Sequence, residues 1–385
     1  MPQDRTAASG VVVIGGGAIG LAVAWRAAQR GHAVCVLERG ALGGGTSHVA
    51  AGMLAPVTEA DPGELALLEL GLRSARAWPA FAEELAAASG ADPGLRRCGA
   101  LVVARDGDEA AALERELALR LQLGLDVQRL LPSAARRLEP ALAPSLRLAL
   151  AVPGDHAADP RALVGALAEA ALRAGAHLRS GTAVEAVCMR DDGRIGGVRL
   201  AGGEVVPAGE VVIAAGAWSG AIAGLPERAR IPLRPVKGQI VRLRDPEGPG
   251  LLERIVRFEG GYLVPRGDGR YVLGATMEER GFDTTVTAGG LYELLRDAGE
   301  LVPGIHELVV EETAAGLRPA TPDNAPVLGR AAGVDGLVWA TGHHRNGILL
   351  APVTGEIVAA ILDGDDGPPQ FAPGRFARVR AGATA

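Results

Sequence analysis

Three glycines and one acid carry the clearest chemical signal in this sequence. Gly15, Gly17 and Gly20, in Gly15-Gly16-Gly17-Ala18-Ile19-Gly20, satisfy the spacing G-x-G-x-x-G, and Glu38 stands where an acid is expected about 20 residues further on. The first glycine of such a loop makes a tight turn and the second lets backbone approach a pyrophosphate. The third packs helix on strand, and the free amides of the helix start face the phosphate oxygens. An acid closing the next strand accepts hydrogen bonds from ribose hydroxyls and disfavours a 2′-phosphate. After Glu38 the chain runs Arg39-Gly40 and then Gly43-Gly44-Gly45-Thr46-Ser47-His48-Val49-Ala50-Ala51-Gly52-Met53-Leu54-Ala55-Pro56. A loop of such small residues can lay its amides against a flat ring. No Ser/His/Asp or Cys/His grouping stands out.

Periodic segments supply the scaffold. Val11–Ile14 is a short aliphatic run bounded by glycine, as a buried parallel strand should be. Ala18–Arg30 then carries Leu21, Ala24, Trp25 and Ala28 on one helical stripe, and Ala33–Leu37 is a second strand. This is a βαβ unit. Helices are predicted over Glu64–Ala88, Glu109–Leu123, Pro160–Ala174, Leu291–Leu301 and Ile348–Leu362, and further core strands over Val211–Ala214 and Leu337–Ala340. From Pro232 to Met277 apolar and polar residues alternate between frequent turns, the mark of antiparallel strands. The fold class is therefore α/β: a Rossmann-type nucleotide-binding domain interleaved with a mostly antiparallel α+β domain. The first takes residues 1–78, 149–225 and 315–385; the second takes 79–148 and 226–314.

Bulk properties narrow the class. The chain has 385 residues, 48% of them hydrophobic, 55 glycines and a net charge of −6. That suits two domains and lacks the basic face of a nucleic-acid binder. No apolar stretch approaches the ~20 residues that span a bilayer, and Met1–Gly10 is too polar for a signal segment. Cys35, Cys98 and Cys188 are scattered and read as free thiols. A soluble cytoplasmic protein, expected to form a homo-oligomer, is the resulting picture.

Several pieces together resemble the family of flavin amine oxidases that includes D-amino acid oxidase, sarcosine oxidase and glycine oxidase, and most closely its glycine oxidase branch of the thiamine pathway. They are Thr46–Pro56, Val211–Trp218, Pro235–Gln239, Tyr262–Arg266, Gly274–Met277, Ala315–Pro319 and Gly342–Pro352, in order along nearly the whole chain. The resemblance implies FAD as cofactor. It implies FAD contacts from Ala18, Ile19, Glu38, Arg39, Thr46, Ser47, Ala51, Gly52 and Met53, from Val184 at the adenine, and from Gly216 and Trp218. The segment Gly342, His343, His344, Arg345, Asn346, Gly347, Ile348 and Leu349 should run beneath the flavin ring, with amides of a helix starting at Ile348 facing its N1–C2=O edge. Arg318 matches the family's carboxylate-binding arginine, Tyr262 its carboxylate-binding tyrosine and Arg345 a second active-site arginine. Met53 and Met277 match pocket-lining methionines.

The activity so implied is oxidation of glycine or another small amino acid by oxygen, giving imine or glyoxylate, ammonia and hydrogen peroxide. A functional link to a thiazole synthase comes with it. Within the class the rivals are a D-amino acid dehydrogenase and a sarcosine oxidase; outside it stands a non-catalytic flavin-binding or tRNA-modification subunit. Gly316 replaces the cysteine of sarcosine oxidases and His48 is offset from the histidine some relatives use for attachment, so FAD is expected to be non-covalent. His344 and Gly260 depart from the residues usual near the pocket. Lys237 is the single lysine among many arginines; a solvated side chain left by composition is the plainer reading, and a charge at the domain interface or near the flavin the sharper one.

Overall fold

The computed structural model describes residues 10–376, so the signal-segment reading of the N-terminus falls, up to Ser9, outside the described residues. A six-stranded sheet is built on Val11–Ile14, which lies parallel between Val34–Leu37 and Glu210–Ile213. Leu337–Thr341 continues it in parallel beyond Glu210–Ile213. His177–Arg179 closes one edge in parallel and Val327–Arg330 the other antiparallel. The central strand Val11–Ile14 reads as an unbroken aliphatic run because both of its faces are covered. Val11, Val13, Val34 and Val36 pack under the helices Ala18–Gln29, Pro160–Arg173 and Ala351–Leu362. Val12, Ile14 and Leu37 pack against a three-stranded sheet of Val184–Met189, Ile195–Leu200 and Val205–Pro207.

The second sheet has eight strands. Their order is Val309–Ala320, Arg234–Arg244, Arg270–Gly274, Gly261–Pro265, Ile255–Phe258, Ala100–Ala104, Leu148–Val152 and Gln128–Leu130. It is antiparallel throughout except where Ile255–Phe258 meets Ala100–Ala104. The helix Ala288–Leu301 buries Leu294, Ala298 and Leu301 against it. Strands Leu148–Val152 and Val309–Ala320 belong to this sheet along their lengths, so the expected seams at 149 and 315 run through strands.

Two readings need correction. The last helix begins at Ala351, not Ile348. Pro352 explains it: inside a helix its ring would press on the carbonyl four residues back, which is that of Ile348. Asn346–Leu350 instead forms a turn, closed by the Leu350 amide donating to Asn346 O at 2.8 Å. Lys237 is not solvated; it is 1% exposed and ion-paired.

Candidate active site

A cavity of about 790 Å³ is lined by residues of both large sheets. At its nucleotide end stands the glycine turn. Gly15 has φ +110°, and a Cβ there would sit 2.5 Å from Ala214 O. A Cβ on Gly20 would fall on the Gly15 carbonyl oxygen, so this third glycine is what lets the helix close on the strand. Gly15, Gly17, Ala18 and Ile19 line the cavity while Gly20 lies behind them. Ser47 Oγ accepts from the Ala18 amide at 3.1 Å, which joins the Thr46–Pro56 loop to the helix start.

Glu38 also lines the cavity. Its two oxygens accept from the Gly16 and Gly40 amides, at 2.7 and 3.0 Å, and each retains a lone pair for a ribose hydroxyl. Val184, Gly216 and Trp218 line the same end. The Arg39 guanidinium stacks on Trp218, 3.8 Å from the ring centroid. Gly216, at φ +55°, would present a Cβ to no protein atom within 4 Å, so its lack of a side chain leaves space for a ligand.

The Thr46–Pro56 loop supplies Thr46, Ser47, Ala51, Gly52 and Met53 to the cavity wall. Arginines hold it from behind. Arg242 Nη2 donates to His48 O at 2.8 Å, Arg161 Nε to the same oxygen at 3.3 Å, and Arg266 Nη2 to Ala51 O at 2.8 Å. Glu312 neutralises Arg161 at 2.7 Å and lies 3.5 Å from Arg242. Burial holds the Arg266 guanidinium down to about 10, still charged at neutral pH. Arg161, Arg242 and Arg266 thereby fix the backbone of this loop through the carbonyls of His48 and Ala51.

Arg318 and Tyr262 meet at the other end of the same cavity. Arg318 Nη1 donates to Thr276 O at 3.0 Å and to Lys237 O at 3.4 Å. Among the described residues no acid pairs with it, so its charge is available to a ligand carboxylate. Burial pushes the Tyr262 phenol up and the neighbouring Arg318 opposes that. Gly238 makes the arginine possible: a Cβ there would lie 2.5 Å from its Nη2. Gly274 does the same for Tyr262, whose hydroxyl would be 2.9 Å from an added Cβ.

His343, His344, Arg345, Gly347 and Ile348 close the cavity from the last segment. Gly342, at φ +78°, turns the chain into it from the strand. The amides of Gly347, Ile348 and Leu349 have no protein acceptor among the described residues. His343 is 2% exposed, donates or accepts at Thr354 Oγ1 over 2.9 Å, and is held down to about 3 by burial. His344, at φ +46°, is held down to about 3 by burial, then by Arg345 and Arg318. Both imidazoles are neutral at neutral pH.

Some expected residues stand elsewhere. Asn346 and Leu349 line a smaller neighbouring hollow, and Leu349 O instead anchors the segment by accepting from Ser74 Oγ at 2.6 Å and Trp78 Nε1 at 2.9 Å. Met277 is 62% exposed and outside the cavity, because it follows the last strand residue at the mouth of a loop. Gly260 and His48 do not line it either. Sequence reasoning missed Glu59, which lines both hollows and whose charge is felt at Tyr262. Its only signal was an acid just past the small-residue loop.

The glycine turn, the acid beside it, the small-residue loop and the unpaired amides fit a flavin dinucleotide, so fold and site define an FAD-binding oxidoreductase. The chain belongs to the FAD dependent oxidoreductase (DAO) family, whose model matches residues 10–361. It is 39% identical to a glycine oxidase of Geobacillus kaustophilus over 357 residues, 92% of each chain. It is 34% identical to the bifunctional protein ThiO/ThiG of Trichormus variabilis over 97% of this chain, spanning 56% of that longer protein. The crystal structure of the Geobacillus kaustophilus glycine oxidase superposes with a TM-score of 0.86, 37% identity and 94% and 97% coverage.

Proposed function

We propose that the protein is an FAD-dependent oxidase of glycine or a similarly small amino acid, yielding glyoxylate, ammonia and hydrogen peroxide. The observation that carries this reading is the unpaired Arg318 guanidinium beside the Tyr262 hydroxyl, in the cavity that also holds the nucleotide turn. An arginine with free donors takes a carboxylate in two parallel hydrogen bonds, and a tyrosine hydroxyl adds a third. Glu59 places negative charge at the same end, suited to attracting the ammonium form of an amino acid.

When bound, FAD supplies the hydride acceptor and is returned by oxygen. The chain's own part is orientation. Arg318 and Tyr262 hold the carboxylate, and the arginine-backed Thr46–Pro56 loop forms a fixed wall of small residues against which the ring would lie. His343, neutral and buried, and His344, neutral and half-buried, add no charge to the last segment. Such fixed donors and fixed geometry lower a barrier without a dedicated base. The glycine oxidase relatives support the substrate, and the ThiO/ThiG relative supports a partnership with a thiazole synthase. A cytoplasmic homo-oligomer with non-covalent FAD completes the proposal. No helix among the described residues is long and apolar enough to cross a membrane.

Anaerobic mixing of the holoenzyme with glycine, sarcosine and D-alanine tests it. Glycine is expected to bleach the flavin absorbance, and in air peroxide should form in step with glycine consumed. Bleaching by D-alanine alone, with a quinone dye reduced and no peroxide made, would favour a dehydrogenase. No bleaching by any amine would refute an amine oxidase.

A further inference from the structure

The single lysine sits one strand away from the carboxylate anchor. Lys237 Nζ lies 2.9 Å from Asp283 Oδ2 and 3.5 Å from Glu278 Oε2, with its side chain 1% exposed. Both acids belong to the segment Thr276–Thr287, which leaves the Arg270–Gly274 strand and ends at the cap of the Ala288–Leu301 helix. The backbones of Lys237 and Glu278 exchange two hydrogen bonds, at 2.9 and 3.0 Å.

That segment and Lys237 itself provide the two carbonyls on Arg318, Thr276 O and Lys237 O. The Glu278 carboxylate links them. Its Oε1 accepts from Thr276 Oγ1 at 2.6 Å and from Gln239 Nε2 at 2.7 Å, while Oε2 faces the ammonium. Gln239 donates its amide to Thr276 Oγ1 at 2.9 Å and accepts the Thr287 amide at 2.7 Å. Removing the ammonium leaves Glu278 facing Lys237's place without its counter-charge, and a half-buried carboxylate so left draws water or a new partner. Thr276 then loses the acceptor that fixes it.

We infer that Lys237 is a positioning residue for Arg318, acting through Glu278, Asp283 and the carbonyls of Thr276 and Lys237. A compact ammonium meets two carboxylates at one point, whereas arginine spreads five donors over a plane. This gives a physical reason for one lysine in a chain that otherwise uses arginine. The inference rests on the proposed role of Arg318 as carboxylate anchor.

The test uses holoenzyme and acetate, a carboxylate that carries no amine to oxidise, titrated against the flavin absorbance spectrum. Lys237→Met is expected to raise the acetate Kd and the glycine KM by about tenfold, the loss of one charge-assisted contact. kcat at saturating glycine and the Kd for FAD should change far less. Asp283→Asn, on an exposed loop, should shift acetate in the same direction and decides the matter if Lys237→Met does not fold. Arg318→Ala is the control for the underlying role. If it abolishes the acetate response while Lys237→Met and Asp283→Asn bind acetate as wild type does, the positioning role is overturned and the anchor stands. If Arg318→Ala binds acetate normally, the anchor reading itself fails.

Discussion

At the scale of single residues, the most demanding contacts are those where a side chain is missing. Gly238 carries no mark in the sequence beyond its place in Pro235-Val236-Lys237-Gly238-Gln239, yet any Cβ there would collide with the Arg318 guanidinium. Gly238→Ala is therefore expected to displace Arg318 and raise the glycine KM while FAD stays bound. Arg318→Ala should weaken substrate by roughly 2–5 kcal/mol, the range for truncating one partner of a buried charge pair. Steady-state kinetics with flavin content measured in parallel checks both; loss of flavin with unchanged KM would make these fold residues. The glycine turn and Glu38 were legible because their spacing came with a strand before, a helix after and a second strand ending at the acid, and the structure brings Gly15, Gly17 and Glu38 to one cavity. That Arg318 and Tyr262 share this cavity was legible only through resemblance, since an arginine on a strand has no pattern that separates a cavity position from a surface ion pair. Glu59 and Gly238 act through contacts that only the folded chain creates.

Among the elements, the buried strands were the easiest to read and the approach to the last helix the hardest. Hydrophobic periodicity runs from Ile348 to Leu362, but it says nothing about backbone, and Pro352 moves the helix start to Ala351. The segment leading into the turn before it carries two histidines whose charge state has consequences. His343 titrates near 6.5 when unfolded and near 3 when folded. A depressed folded pKa gives stability that is fully present above about 6.5 and lost as pH falls toward 3, at up to about 1.4 kcal/mol per pH unit. Asp155, buried against the Thr58 and Val57 amides and pushed up to about 6, acts the other way and adds stability as pH falls from about 6 to 4. The comparison that isolates the histidine is thus wild type against His343→Gln. The Tm advantage of wild type measured at pH 7.5 should shrink by pH 5. An advantage that does not change with pH would mean that folding leaves the His343 pKa at its unfolded value, so that burial does not hold the imidazole neutral.

For the molecule as a whole, the two-sheet plan was legible because its halves differ in kind: unbroken aliphatic runs on one side, alternation and turns on the other. The seams were harder, since nothing in the composition of Leu148–Val152 or Val309–Ala320 chooses between the sheets and only hydrogen bonding assigns them. With Gly316 in place of a cysteine and His48 outside the cavity wall, acid precipitation is expected to release the yellow colour into the supernatant. Colour retained in the pellet would demand a covalent bond. The strand order also dictates when the protein can first become an enzyme. The first strand pairs with Glu210–Ile213, that strand with Leu337–Thr341, and the cavity wall is finished by residues up to Ile348. A chain emerging from the ribosome thus carries its glycine turn hundreds of residues before the wall that encloses the cofactor is complete. Flavin capture must wait for the segment up to Ile348, and until then the nascent nucleotide half depends on contacts hundreds of residues away, the kind that form slowly and leave apolar strands exposed meanwhile.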